Sequence, residues 1–230
     1  MNCENIALLE EILKDFDLSD GGSIGEKLEQ AVASEQKGFE FLTHDFLGDT
    51  CISKVLLYFR RIGQSDRCLF EKYHVMLIYH DAPDKDRGQT FFVHQGYCIN
   101  LKEALNLLQG RSVYKENLPH IDESKYDAWI KLDFDKVDLL QNYPVKHFKG
   151  SHGYDLEKVL GKYPIQELDD SESRAAVLSS LKNGNQHTVT FLTAKRTRKM
   201  LIEANPMYKT INIYSHSNNK PSKKYTPINE

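Results

Sequence analysis

Four cations fall within five residues at Lys195-Arg196-Thr197-Arg198-Lys199, and this run is the sharpest chemical signal in the chain. It lies between two strand-like segments, so Lys195, Arg196, Arg198 and Lys199 are expected to crowd the tip of a β-hairpin. Like charges held that close repel one another, and an anionic partner relieves the cost. Nucleic-acid phosphate is one such partner and an acidic protein surface is another. A solvated basic turn is the plain alternative. Lys220, Lys223 and Lys224 follow in a polar tail and extend the same candidate surface.

The histidines offer a second kind of chemistry. His74, His80 and His94 sit in or beside neighbouring strand candidates, and His74 and His80 share strand parity. A metal would require three or four such groups to converge. His147 and His152 are five residues apart, with Ser151 and Asp155 at hand for hydrolysis, but no G-x-S-x-G elbow is present. Asp133, Asp135 and Asp138 imitate part of a calcium loop without its central glycine or terminal glutamate. Cys3, Cys51, Cys68 and Cys98 are scattered, with no C-x-x-C pair, and are expected as free thiols, Cys51 and Cys98 half-buried. Neither a P-loop nor a G-x-G-x-x-G fingerprint occurs. These patterns predict no metal site and no cofactor.

Composition places these groups in an ordinary globular chain. Of 230 residues, 40% are hydrophobic and 27% charged, and the 12 Tyr and 11 Phe supply core-forming bulk that disordered chains lack. No apolar run approaches the roughly 20 residues of a membrane span, and the N-terminus has no secretory pattern, so a cytoplasmic protein that avoids membranes is expected. The net charge of −3 hides an asymmetry. Residues 183–230 hold eight Lys/Arg against two acids, a net +6, which leaves −9 for the rest.

Ile6, Leu9, Leu13 and Phe16 recur at helical spacing, and Ser23 with Glu26 forms a capping-box pattern before a second helix. With a third short helical segment over 38–46, residues 1–48 are expected as a helical N-terminal arm. The period then shifts to two, and strands are expected over 53–61, 73–80, 89–94, 126–134, 143–148, 187–193, 199–203 and 209–214. Helices are expected at 101–108, with Asn100 as cap and Glu103 at the third position, and at 155–160 and 171–182. Asn205-Pro206 should turn the chain between the last two strands. Trp129 is expected to pack in a core rather than to stack on bases. The sum is an α+β protein of antiparallel meanders with interspersed helices, an arm at 1–48, a core at 49–214 with a break near 160–170, and a disordered tail at 215–230.

Specific stretches carry a family likeness: Gln89-Thr-Phe-Phe-Val, the run from Leu101 through Gly110-Arg-Ser-Val-Tyr114, Tyr126-Asp-Ala-Trp-Ile-Lys-Leu-Asp-Phe134, Gly153-Tyr-Asp-Leu-Glu-Lys-Val-Leu160, Tyr163-Pro-Ile-Gln-Glu-Leu168, and Ile202-Glu-Ala-Asn-Pro-Met-Tyr208 continuing to Tyr214. Over roughly residues 53–214 the chain resembles a Bacteroidetes family catalogued as domain of unknown function 3945, often encoded near conjugative-transposon genes. What the resemblance implies is a genomic neighbourhood, without a catalytic motif to carry over. The expected function is a non-enzymatic accessory or binding protein of a mobile genetic element that contacts nucleic acid or protein through the basic hairpin. A metal-independent hydrolase-like enzyme with a histidine site and a structural adaptor subunit are the alternatives.

Overall fold

A computed structural model describes residues 3–18, 23–34, 36–63, 65, 67–93, 97–120, 122, 124–193 and 196–215. The chain is α+β, with five α-helices and ten strands in three antiparallel sheets among the described residues. It forms two compact units, Met1–Leu108 with Phe134–Pro144, and Gln109–Asp133 with Val145–Glu230. The units therefore do not break near 160–170. The chain passes between them at 108/109, 133/134 and 144/145. Among the described residues no helix is long and apolar enough to cross a membrane.

In the first unit, helices α1 (Cys3–Asp15) and α2 (Ser23–Ala33) precede a meander of β1 (Gly38–Phe46), β2 (Cys51–Arg61), β3 (Cys68–Tyr79) and β4 (Arg87–Phe92), and α3 (Leu101–Leu108) follows. Alternation along β2, and along β3 on either side of a bulge that lets Phe70 and Tyr73 share a face, sends Val55, Leu57, Phe59, Phe70, Tyr73, Val75 and Leu77 to one side, where all are buried. Helical spacing in α1 and α2 supplies the complementary stripe, with Leu9, Leu13, Leu28 and Val32 buried. Asn5 on α1 clamps the start of β3, accepting from the Cys68 N–H at 2.7 Å and donating to its carbonyl at 3.1 Å. α3 begins with a reciprocal box: the Glu103 N–H donates to Asn100 Oδ1 at 2.9 Å and the Asn100 N–H to Glu103 Oε2 at 3.0 Å.

The third helical segment expected at 38–46 is a strand. β1 pairs along its whole length with β2, from Gly38 opposite Arg60 to Phe46 opposite Ile52, and Phe39 stacks on Phe59 with ring centroids 5.0 Å apart. Large apolar residues stand on both faces of β1, so their spacing suits a helix as well as a strand, and pairing with β2 decides between them. The helical arm ends at Ala33.

At the other edge of this sheet, residues 134–144 cover β4. The Thr90 N–H donates to Asn142 Oδ1 at 2.8 Å, and Gln89 exchanges two hydrogen bonds with the Tyr143 backbone at 2.8 and 3.4 Å. The Arg87 guanidinium lies 3.7 Å from the centre of the Phe134 ring. Asp138 holds this segment in a tight turn by accepting from the Leu140 and Asn142 N–H groups, both at 2.8 Å.

The second unit contains two three-stranded sheets. One has the order β5 (Val113–Pro119), β6 (Lys125–Leu132), β7 (Val145–Lys149), and the other has β10 (Thr210–Ser215), β9 (Thr197–Asn205), β8 (His187–Leu192). Helices α4 (Leu156–Leu160) and α5 (Ser171–Lys182) start on the side chains of Asp155 and Asp170, which accept from the Lys158 and Ser173 N–H groups. Trp129, Leu160, Val177, Leu181, Val189 and Ile202 share one core. Trp129 is a packing residue, 5.4 Å from Tyr114 and 5.5 Å from Tyr154 between ring centroids. β5 was not expected: its register shifts between Lys115 and Leu118 with Asn117 at positive φ, which erases the alternation. Asn205-Pro206 does turn the chain, with the Tyr208 N–H donating to Asn205 Oδ1 at 3.3 Å.

Tyr73 ties the first unit together. Its ring lies among Phe16, Phe70 and Phe91, and its hydroxyl donates to the Ile99 carbonyl at 2.5 Å. Burial, with a smaller push from Glu103, holds this phenol well above its ordinary range. The folded chain therefore keeps the proton after the unfolded chain, titrating near pH 10, has lost it. Stability present below about pH 10 is lost as the pH climbs further. Tyr73→Phe is expected to cost about 1–3 kcal/mol in urea unfolding near neutrality by orphaning the Ile99 carbonyl, and to make the alkaline loss shallower.

Candidate functional site

The basic run occupies a hairpin, as expected. β8 and β9 pair from His187 opposite Ile202 to Leu192 opposite Thr197, and Thr193 and Arg196 bond beyond them. There the Thr193 N–H donates to the Arg196 carbonyl at 3.1 Å, the Thr193 hydroxyl donates to the same carbonyl, and the Arg196 N–H returns to Thr193 Oγ1 at 3.2 Å. The outer edge of β8 is pinned. Both Glu167 oxygens accept from the Thr190 N–H at 2.9 and 3.0 Å, the Leu192 N–H donates to the Pro164 carbonyl at 2.8 Å, and Ile165 bridges Phe191. Arg198 and Lys199 thus stand on a fixed ribbon, with Arg196 held beside it.

Arg198 pairs with Phe191 and Lys199 with Thr190, so successive side chains leave from opposite faces. Arg196, Arg198 and Lys199 are exposed, and none makes an ion pair among the described residues. Lys195 lies outside the described residues, as do Lys220, Lys223 and Lys224. The structure therefore brings together three of the seven expected site residues.

The acid nearest to the hairpin in sequence is committed elsewhere. Glu203, 9% exposed on β9, accepts from Asn212 Nδ2 at 2.6 Å and the Tyr214 hydroxyl at 2.7 Å through one oxygen. Its other oxygen accepts from Gln186 Nε2 at 3.0 Å, and Asn205 Nδ2 extends the network to Asn212 Oδ1 at 2.9 Å. Burial, then the hydrogen bond to Glu203 and its charge, push the Tyr214 phenol above its ordinary range. A carboxylate engaged in this way is not among the partners of the described hairpin cations.

The second unit as a whole is basic, with 18 Lys/Arg against 13 Asp/Glu, whereas the first has 12 against 20. The charge asymmetry of the sequence follows the division into units.

The histidines have local structural partners. His74 Nδ1 is 2.9 Å from Thr90 Oγ1, and burial, then Lys72, lower its affinity for a proton. His80 lies past the end of β3, and His94 lies outside the described residues. His147 Nδ1 is 3.2 Å from the Tyr126 hydroxyl, and burial, then Lys149, lower its proton affinity too. His152 Nε2 lies 3.0 Å from the Pro206 carbonyl, while Asp155 caps α4 and pairs with Lys158 at 3.2 Å. Neither histidine is joined to Ser151 or to a carboxylate in a hydrolytic chain.

Asp133 binds Lys146 at 2.8 Å and Asp138 caps its own turn, so the aspartates converge on no common centre. Cys51 and Cys68 are buried free thiols, and Cys98 is exposed rather than half-buried. Burial pushes the Cys51 thiol up, away from the reactive thiolate. Among the described residues, no three His, Cys, Asp or Glu side chains group as metal ligands.

Compared with models of protein families, with curated proteins and with solved structures, the chain matches none.

The Glu203 network yields a test. Glu203→Ala is expected to destabilise the protein by about 1–3 kcal/mol in urea, because Asn212, Gln186 and Tyr214 all lose an acceptor. In Glu203→Gln the negative charge that opposes phenolate formation is gone, so ultraviolet titration should record one tyrosine ionising at lower pH than in the parent.

Proposed function

We propose that this chain is a non-enzymatic binding protein whose β8–β9 hairpin grips an anionic polymer, nucleic-acid backbone, through Arg196, Arg198 and Lys199, with Lys195 and the tail lysines 220, 223 and 224 adding to the same surface. A place among the accessory proteins of a mobile genetic element, in the cytoplasm, belongs to the same proposal and rests on the resemblance over residues 53–214. One observation carries the binding reading: among the described residues three exposed cations of the hairpin have no carboxylate partner, and the nearest acid in sequence already accepts from three neutral donors.

Physical chemistry favours this partner on two grounds. Side chains leaving both faces of a narrow ribbon can reach phosphates on either side, as β-ribbon readers do in a groove. A basic unit also raises the local concentration of polyanions through its long-range field. Contacts of this type position the protein without reading bases, so weak sequence preference belongs to the proposal.

Replacing Lys195, Arg196, Arg198 and Lys199 together with Ser should leave the melting temperature nearly unchanged, since the described members are exposed. Binding to mixed-sequence DNA or RNA at low salt should weaken by roughly tenfold or more, and the dependence of affinity on salt should flatten. Fluorescence titration measures both. A parent protein that binds neither polymer below about 10 μM at about 50 mM salt, where non-specific binders ordinarily associate, would overturn the proposal.

A further inference from the structure

We propose that two copies of this chain pair through their β1 strands, in an antiparallel register centred on Leu42, to join their four-stranded sheets into one. This inference concerns the first unit and is independent of the nucleic-acid reading.

β1 is an outer strand of its sheet, and half of its backbone is unused. The Arg61 N–H donates to the Lys37 carbonyl and the Leu47 N–H to the Cys51 carbonyl, which fixes the odd-numbered residues as those bonded to β2. The even-numbered residues Gly38, Glu40, Leu42 and His44 then turn their N–H and C=O groups outward, and among the described residues these groups have no partner. The Phe46 N–H is taken by its own neighbour, Asp45 Oδ1, at 2.8 Å, and that marks the end of the free stretch.

Sheet edges are usually blunted by proline, lysine, a bulge or a covering segment. β1 contains no proline and no lysine, and it pairs with β2 without a register shift. The opposite edge of the sheet, at β4, is covered by residues 134–144. Exposure on β1 is also apolar: Leu42 is 56% and Phe46 68% exposed.

The occupant follows from self-complementarity. An added antiparallel strand must set even residues opposite even residues, so a two-fold pairing of β1 with itself has few registers. Centring on Glu40 opposes two carboxylates, and centring on His44 opposes two imidazoles. Centring on Phe41 sets Glu40 against Leu42, and centring on Thr43 sets Glu40 against Phe46. Centring on Leu42 sets Leu42 against Leu42 of the second copy and Glu40 against His44 of the second copy, twice. Gly38 then faces Phe46 of the second copy and leaves room for its ring.

The neighbouring strands extend the match. Leu42 lies beside Leu56, so the central row reads Leu56, Leu42, Leu42, Leu56 across the axis. His44 lies beside Lys54, so each Glu40 meets a cationic corner. On the helix side of β1, an open cleft of about 490 Å³ lined by Lys27, Gln30, Ser34, Phe39 and Phe41 gives the second strand's side chains space. The pairing is isologous and closes at two copies.

Sedimentation equilibrium and native mass spectrometry on the full chain, over about 1–100 μM, test this, since a specific dimer should assemble within that range. The parent should dimerise. Leu42→Pro removes a ladder donor and Leu42→Lys sets two ammonium groups on the axis, and each should weaken the dimer by roughly tenfold or more. Glu40→Lys and His44→Glu should each weaken it as well, and combining them should restore it, a rescue that damage to the fold would not produce. A parent that stays monomeric at 100 μM overturns the inference. So does a dimer that Leu42→Pro leaves intact, a foreign strand held in place of the second copy, or a charge-swapped pair that fails to recover.

Discussion

A buried phenol bound to one backbone carbonyl sets the shape of the first unit. Tyr73 is fully buried, and its hydroxyl must find a partner or cost the protein its desolvation. The partner is the Ile99 carbonyl, one residue before the capping box that starts α3. Because that carbonyl must come to Tyr73, the chain after β4 has to return over the sheet, and α3 is laid down on the face that α1 already shares. The Leu101 N–H then donates to the Phe16 carbonyl at 2.9 Å, so the end of α1 and the start of α3 are held to each other as well as to β3. Three helices are thereby committed to one face of the sheet, and the other face keeps its mixture of Leu42, Leu56, Lys54 and His74.

Much of this was legible in the residues, and the reasons differ from element to element. α1 and α3 could be read because their apolar residues recur at helical spacing and their caps obey local rules. β2 and the part of β3 from Tyr73 onward could be read because one face is covered and alternation is kept, whereas Cys68–Glu71 lie beyond a bulge that breaks it. β1 was misread because an edge strand with apolar residues on both faces has no clean period, and β5 was missed because its bulge breaks the period. The hairpin itself was legible, since basic residues between two strand-like runs have few other places to go. The isolation of its charge was not, because it depends on Gln186, Asn212 and Tyr214 converging on Glu203, and nothing in their spacing announces that. The histidines offer shared parity at His74 and His80 without a ligand set, and the hydrogen bonds of His74 to Thr90, His147 to Tyr126 and His152 to Pro206 show separate local duties.

Polar side chains do a second kind of work in this protein, which is to finish backbone ladders. Glu167 closes the outer edge of β8, Asn142 answers the outward Thr90 N–H of β4, and Asn5 clamps the start of β3. Each answers a donor that would otherwise be left to solvent, and each comes from a segment distant in sequence. Such closures cost little in composition, since one amide or carboxylate can satisfy two backbone groups. They also mean that the edges differ chemically, although the strands beneath them are built from similar residues.

The docking of residues 134–144 on β4 has a consequence for how this protein behaves at high concentration. A sheet with two open edges has a valence of two and can add copies without end, the geometry of a growing fibre. Residues 134–144 take one of those edges, with Asn142 accepting from the Thr90 N–H of β4. A unit with one free edge can terminate another but cannot extend it, so any edge-to-edge growth stops as soon as it starts. The short turn held by Asp138 thus serves as a stop on one side of this sheet, built into the same polypeptide.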